Sequence, residues 1–170
     1  MLRNNMKYIL FFVSAPAWKI FWLSFLPVIV GTWFAVRFEN IALAQMSVLF
    51  GTLMELVWIF SVSNYIANKY SHRVEVPIKR LNTALGFILI FYILYIPDLI
   101  PTAIAQAVGY MALALNLYCI CFMARLIVMV EKERNVTFKD YISTAIIAYF
   151  WFIGIWFLQP RINRIYSLRS

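Results

Sequence analysis

The chain has 170 residues, 64% of them hydrophobic and only 13% charged, with a formal net charge of +8. Soluble domains are roughly half apolar and about a quarter charged, and a chain this short has too little interior to hide so much apolar surface, so composition excludes an ordinary soluble domain. The basic residues border apolar runs, which assigns the positive charge to lipid headgroups and membrane topology and not to nucleic acid.

Taken in order, the pattern predicts an all-α integral membrane bundle of four to five transmembrane helices, with a short N-terminal interfacial helix, in one domain over 1–170. Arg3 and Lys7 open a basic start, residues 8–13 are apolar, and Ala15-Pro16-Ala17 follows. Those features also fit a secretory signal; the reading carried forward is an interfacial helix that leads into the first span. That span covers about 20–36 and contains Pro27, where a kink is expected because proline removes one backbone donor. Arg37 to Asn40 form a short polar exit.

The second span is expected over about 41–65. Glu55 lies near its middle, where a carboxylate is costly, so it should face protein or carry a proton. Ala44, Ser47, Gly51, Glu55, Trp58 and Val62 share one helical face. Small residues there admit a neighbouring backbone, and a polar group among them can bond across the interface. The basic stretch 68–80 follows, with His72 alone in it and expected to be solvated.

The third span is placed at about 81–96. Pro97 and Pro101 bracket a turn around Asp98, because one proline ends a helix and the other can begin the next. This predicts an antiparallel hairpin with a fourth span over about 102–124, whose last turns reach past the bilayer. Ala105, Gly109, Ala112, Asn116 and Cys119 recur at helical spacing on that span, giving a second small-residue face with one amide. Asn116 is the expected partner of Glu55. Cys119 and Cys121 point in different directions on a helix and read as packing residues. Arg125 is expected to reach the headgroups by snorkelling.

Thr137-Phe138-Lys139-Asp140 resembles a capping box with Asp140 at its last position. It should begin a last helix over about 141–158, ending at Gln159-Pro160 before a basic tail. The segments Val136 to Tyr141 and Ile153 to Asn163 resemble the close of a group of small multi-pass bacterial membrane proteins that end in Gly-Ile-Trp-x-x-Gln-Pro-Arg-Ile-Asn. That resemblance covers the last quarter of the chain; it implies a bacterial membrane protein and no activity.

Lys and Arg collect in the N-terminal segment, in the loop after span two and in the loop after span four, so those segments are expected in the cytoplasm. A fifth full span would put the arginines of the tail outside. A last helix that re-enters or lies along the interface would put them inside; the reading carried forward is five spans. No elbow serine, zinc-protease helix, phosphate loop or dinucleotide fingerprint occurs, and a single histidine offers little acid–base chemistry. The expectation is a non-catalytic packing or assembly module of the bacterial inner membrane, without metal or cofactor. Its partners would be the bilayer and either its own copies or another membrane protein. The alternative is a small channel or ion- or proton-coupled transporter subunit with Glu55 and Asn116 at mid-membrane.

Overall fold

The computed structural model describes residues 9–70, 77–95 and 102–167. The expected Pro97–Pro101 turn, His72, Arg3 and Lys7 lie outside them, as do the side chains of Ala105 and a few residues beside it. The described regular structure is entirely helical. After a helical stretch at 9–14 come α1 (Ala17–Arg37), α2 (Ile41–Tyr70), α3 (Ile78–Tyr95), α4 (Thr102–Lys132), α5 (Phe138–Tyr149) and α6 (Trp151–Ser167). Among the described residues, three helices are long and apolar enough to cross a membrane: Ala17–Arg37, Ile41–Tyr70 and Gln106–Lys132. They mark the chain as a helical membrane bundle.

Pro27 sits inside α1, and the helix continues through it. At the exit of α1, the Asn40 N–H reaches the Ala35 carbonyl at 2.9 Å and the Phe38 N–H reaches that of Phe34 at 2.9 Å. This closure puts Glu39 at a positive φ of 51°, a position that glycine usually fills. Asn40 then accepts from the Leu43 N–H through Oδ1 at 3.2 Å, which starts α2. α1 and α2 are thereby an antiparallel hairpin with a four-residue polar corner, as the polar exit at Arg37 to Asn40 predicts.

α2 and α3 are tied by a reciprocal amide pair. Asn64 Nδ2 donates to Asn82 Oδ1 at 3.0 Å, and Asn82 Nδ2 donates back to Asn64 Oδ1 at 3.2 Å. α3 and α4 pack side by side around an apolar groove lined by Phe87, Ile90, Phe91, Val108, Met111 and Leu115.

The last helix expected over 141–158 is instead two. α5 ends at Tyr149, and α6 runs from Trp151 through Pro160 to Ser167. Thr144 and Arg161 would lie about 25 Å apart on one straight helix, yet Arg161 Nη1 donates to Thr144 Oγ1 at 3.2 Å. The chain therefore folds back at Phe150. Gly154 makes this possible, because its bare Cα lies against the Ile147 carbonyl and the backbone of Ala148. The Phe150 carbonyl accepts from both Ile153 and Gly154, at 2.8 and 2.7 Å, and starts α6.

Burial is uneven along the bundle. In α2 the buried side chains from Leu56 to Ala67 form almost a continuous run, and in α4 those from Cys119 to Met129 do the same. Toward the Glu39 corner, α2 buries only Ser47 and the described part of α4 only Ala112. The core thus sits at the basic end, where Lys69, Lys132 and Arg161 lie.

Candidate functional site

Two polar centres lie in the apolar interior. The first is the expected one. Glu55 on α2 and Asn116 on α4 come together, with the Asn116 amide donating to the Glu55 carboxyl. Cys119, one turn further along α4, lies within electrostatic reach of the same carboxyl. Asn116 Oδ1 is buried with no hydrogen-bond partner, a situation that costs about 1–3 kcal/mol. Glu55 itself is partly exposed. Immediately toward the basic end, Ile59 and Val62 of α2 join Ile120 and Met123 of α4 in the core.

The small-residue faces behave differently from the expectation that they meet each other. Ser47 and Gly51 pack against α1: a side chain at Gly31 would strike Ser47, and one at Gly51 would come within 2.9 Å of Val28. A Cβ at Gly109 would meet only Phe91 of α3, at an ordinary 3.8 Å. Ala44 is half-buried and Ala112 is buried. Val48 lies two turns before Glu55 on the same helical face and is 57% exposed. The small residues are taken up within each hairpin: Ser47 and Gly51 against α1, and Gly109 and Ala112 against α3.

The second centre is one that sequence reasoning missed. Gln159 is fully buried, at 0% exposure. Its Oε1 accepts from the indole Nε1–H of Trp58 at 3.0 Å. Its Nε2 lies 3.0 Å from the Phe12 carbonyl, 3.2 Å from that of Val13, 3.0 Å from that of Ala15 and 3.0 Å from Asn163 Oδ1. Asn163 Nδ2 also donates to Ala15, at 3.3 Å. The cause lies in the sequence. Phe12 would bond the N–H four residues on in a continuous helix, but that residue is Pro16, which has none. The break between the helical stretch at 9–14 and α1 thus strands carbonyls in the core, and α6 brings the donors. Pro16, four residues after Phe12, is the signal that could have led to Gln159.

Charged groups at the basic end complete the frame. Arg161 holds the Glu131 carboxylate with two hydrogen bonds, the Nε one at 2.7 Å. Lys69 Nζ donates to the Ile165 and Tyr166 carbonyls at 3.3 and 3.0 Å and to the Tyr65 hydroxyl at 2.8 Å. A cation at the last carbonyls of a helix is favourable, so Lys69 caps α6 from α2. Asp140 accepts from the Thr137 N–H and hydroxyl, each at 2.9 Å, and pairs with Lys132 and Arg134. The Lys132 ammonium first, and then the Thr137 donors, hold its carboxyl well below the usual carboxylate range. Arg125 is exposed.

Among the described residues no three His, Cys, Asp or Glu side chains are grouped to hold a metal ion. No protein-family model, curated protein or solved structure matches the chain.

Proposed function

We propose that the chain is a non-catalytic assembly module of a bacterial inner membrane. Its basic end is a locked frame, and its other end, where α2 and α4 bury few side chains, offers exposed helix faces to a helix of another membrane protein. The observation that carries this reading is the exposure of Val48 on the face that leads down to Glu55. Helix association in lipid depends on close packing of small residues and on interhelical hydrogen bonds. Ala44 and Glu55, on the Val48 face of α2 and each partly exposed, supply both. A photo-crosslinking residue at Val48 should give a protein adduct of one discrete mass in native membranes, lost when Ala44, one turn away on the same face, is enlarged to Leu. The same residue at Ile29, on the exposed side of α1, should give lipid adducts. Lipid adducts at both positions overturn the reading.

The same proposal fixes sidedness. The Lys and Arg clusters put the N-terminus and the loop after α2 in the cytoplasm. Lys69 binds the last turn of α6, which supports a cytoplasmic placing of Arg161 and Arg164 without the conflict that a fifth full span creates. α5 is about 18 Å long at about 1.5 Å per residue, short of a hydrocarbon core of about 30 Å. α5 and α6 then enter and leave by one face, and α1 to α4 make four crossings. A reporter fused after Ser170 should behave as cytoplasmic; external behaviour refutes the hairpin topology.

One observation favours a second reading, a small channel or proton- or ion-coupled subunit. It is the unpartnered Asn116 Oδ1 beside Glu55, since mid-membrane polar groups commonly mark ion paths. Under that reading Glu55→Gln abolishes proton or sodium flux in reconstituted vesicles while the protein stays folded. Equal flux for the wild type, the variant and empty vesicles removes it.

A further inference from the structure

The groove between α3 and α4 has walls, a floor and an open side. Phe87 and Ile90 stand on one wall, Met111 and Leu115 on the other, and Ala112 lies at the base. Ala112 is buried, whereas Phe87, Ile90 and Met111 are exposed, so the groove opens outward from the bundle. We propose that it holds an acyl chain of an anionic phospholipid whose phosphate is bound by Arg80 and Arg125. The inference stands apart from the assembly reading, which uses the Val48 face of α2.

The shape of the groove selects a chain. Every residue that lines it is apolar, so neither water nor a headgroup gains a hydrogen bond inside it. The groove holds about 160 Å³. One turn of a helix about 10 Å across and about 5.4 Å high fills roughly 400 Å³, so a partner helix does not fit where a single hydrocarbon chain does.

The sequence pattern continues the groove to the two arginines. Arg80 and Phe87 are two turns apart on one face of α3, and Met111, Tyr118 and Arg125 repeat at the same interval along α4. Both arginines and Tyr118 are exposed, as the open side of the groove is. α3 and α4 are antiparallel, since Gly109 near the start of α4 faces Phe91 near the end of α3. Arg80, at the start of α3, and Arg125, late in α4, are therefore at the same end. At about 1.5 Å per residue, Arg80 stands about 10 Å from Phe87 along the axis and Arg125 about 15 Å from Leu115. One leaflet of hydrocarbon is about 15 Å deep, half of about 30 Å. A lipid with its phosphate at the arginines thus has its chain at the depth of the groove.

Charge selects the headgroup. At this end Arg161 is held by Glu131, Lys132 and Arg134 by Asp140, and Lys69 by α6. The guanidinium groups of Arg80 and Arg125 have no ion pair or hydrogen bond among the described residues. Long basic side chains reach from a helix to the headgroup level, and a guanidinium matches two oxygens of a phosphate at once. A zwitterionic lipid brings the same phosphate with a cation of its own, so the arginine pair favours a lipid that is negative overall.

The test places a photo-crosslinking residue at Met111 in the full chain. The protein is reconstituted in phosphatidylcholine vesicles with a minor share of phosphatidylglycerol, both with the same acyl chains, and adduct masses identify the lipid. Phosphatidylglycerol should be enriched among the adducts about tenfold over its share, equivalent to about 1.4 kcal/mol. The same residue at Ile29, exposed on α1, should return the bulk ratio. Arg80→Gln combined with Arg125→Gln changes only exposed side chains, so the fold persists, and it should bring Met111 to the bulk ratio while lipid adducts continue. Arg164→Gln, at an exposed arginine of the same end, should leave the enrichment intact. A bulk ratio at Met111 in the wild type, or no lipid adduct there at all, overturns the inference. So does an enrichment that survives the double change, one that appears equally at Ile29, or one that Arg164→Gln abolishes as well, since each traces it to something other than this arginine pair. None of these outcomes bears on crosslinking at Val48, so the assembly reading stands or falls separately.

Discussion

Gln159→Leu should be among the most damaging single changes in the molecule. Leucine matches the volume closely, so the change tests hydrogen bonding and not packing. Trp58 is 1% exposed, and its indole N–H has its hydrogen bond to Gln159 Oε1; leaving such a donor unsatisfied costs about 1–3 kcal/mol. The Phe12 and Val13 carbonyls lose the Gln159 amide as well, while Ala15 keeps Asn163. A second stranded group at the same scale brings the expected loss to about 2–6 kcal/mol. For a domain of this size each kcal/mol moves the melting temperature by about 2–4 °C. Scanning calorimetry or dye-based thermal unfolding in a mild detergent measures the shift. Gln159→Glu should be worse than Leu, because it keeps an acceptor for Trp58 but sets carboxylate oxygens against three carbonyls. Trp58→Phe combined with Gln159→Leu should cost less than the sum of the two changes, since the pair shares one bond. A Gln159→Leu protein within about 0.5 kcal/mol of wild type, the range of an ordinary surface change, would refute the claim that this side chain closes the Pro16 break.

The other expected outcomes concern the turn regions. Gly154→Ala should lower the melting temperature and the folded yield, because the new Cβ strikes the Ile147 carbonyl, which is backbone and cannot swing aside; Gly86→Ala, with nothing within 4 Å, should be neutral or slightly stabilising at about 0.5–1 kcal/mol. The Asp140 carboxyl is held below its ordinary range when folded, so the unfolded chain binds its proton more readily. Its contribution is therefore fully present above about pH 4 and fades only in stronger acid, as pH falls through the lowered value. Unfolding midpoints of wild type and Asp140→Asn should differ at pH 7, differ almost as much at pH 5, and converge only below the ordinary carboxylate range.

Most of the fold was legible because lipid imposes a simple rule: long apolar runs become helices, and polar corners mark their ends. Arg37 to Asn40 is such a corner, and the structure makes it with Asn40 as the cap of α2. The partnership of Glu55 with Asn116 was legible for a related reason. A mid-membrane carboxyl needs a neighbour, and few polar side chains stand at that depth. What stayed hidden were the features set by tertiary structure. Gly154 stands four residues past the break at Phe150, but a lone glycine inside an apolar run does not by itself mark a fold-back, and residues 141–158 read as one span. The break exists because Arg161 must return to Glu131 and Gln159 must reach Trp58 and Phe12. Gln159-Pro160 looked like a helix end, since proline usually stops a helix in water. Here α6 runs through it, packed against α5, and the membrane interior tolerates proline where neighbours support the freed carbonyl. The small-residue faces were read as one interface because their spacing matched. Spacing fixes which way a helix face points and not whether the facing helix arrives, and here α1 and α3 had already taken up the contacts.

The two polar centres differ in how far they are satisfied, and that difference can be measured. Gln159 uses both ends of its amide on groups the fold would otherwise strand, so removing it leaves others in debt. Glu55 and Asn116 serve mainly each other, and Asn116 Oδ1 has no partner at all. Replacing both members of a buried polar pair by apolar side chains of similar shape is often neutral or stabilising, whereas removing one alone is costly. Glu55→Leu and Asn116→Leu should each lower stability by about 1–3 kcal/mol, while the double change should return close to wild type or exceed it. Thermal unfolding of the four proteins in one detergent decides the matter. A double variant as stable as wild type means that folding alone does not require the pair, which is the signature of a group placed for a partner. A double variant that loses the sum of both single effects means the pair holds α2 to α4, and Glu55 is then a strut of the bundle like Gln159.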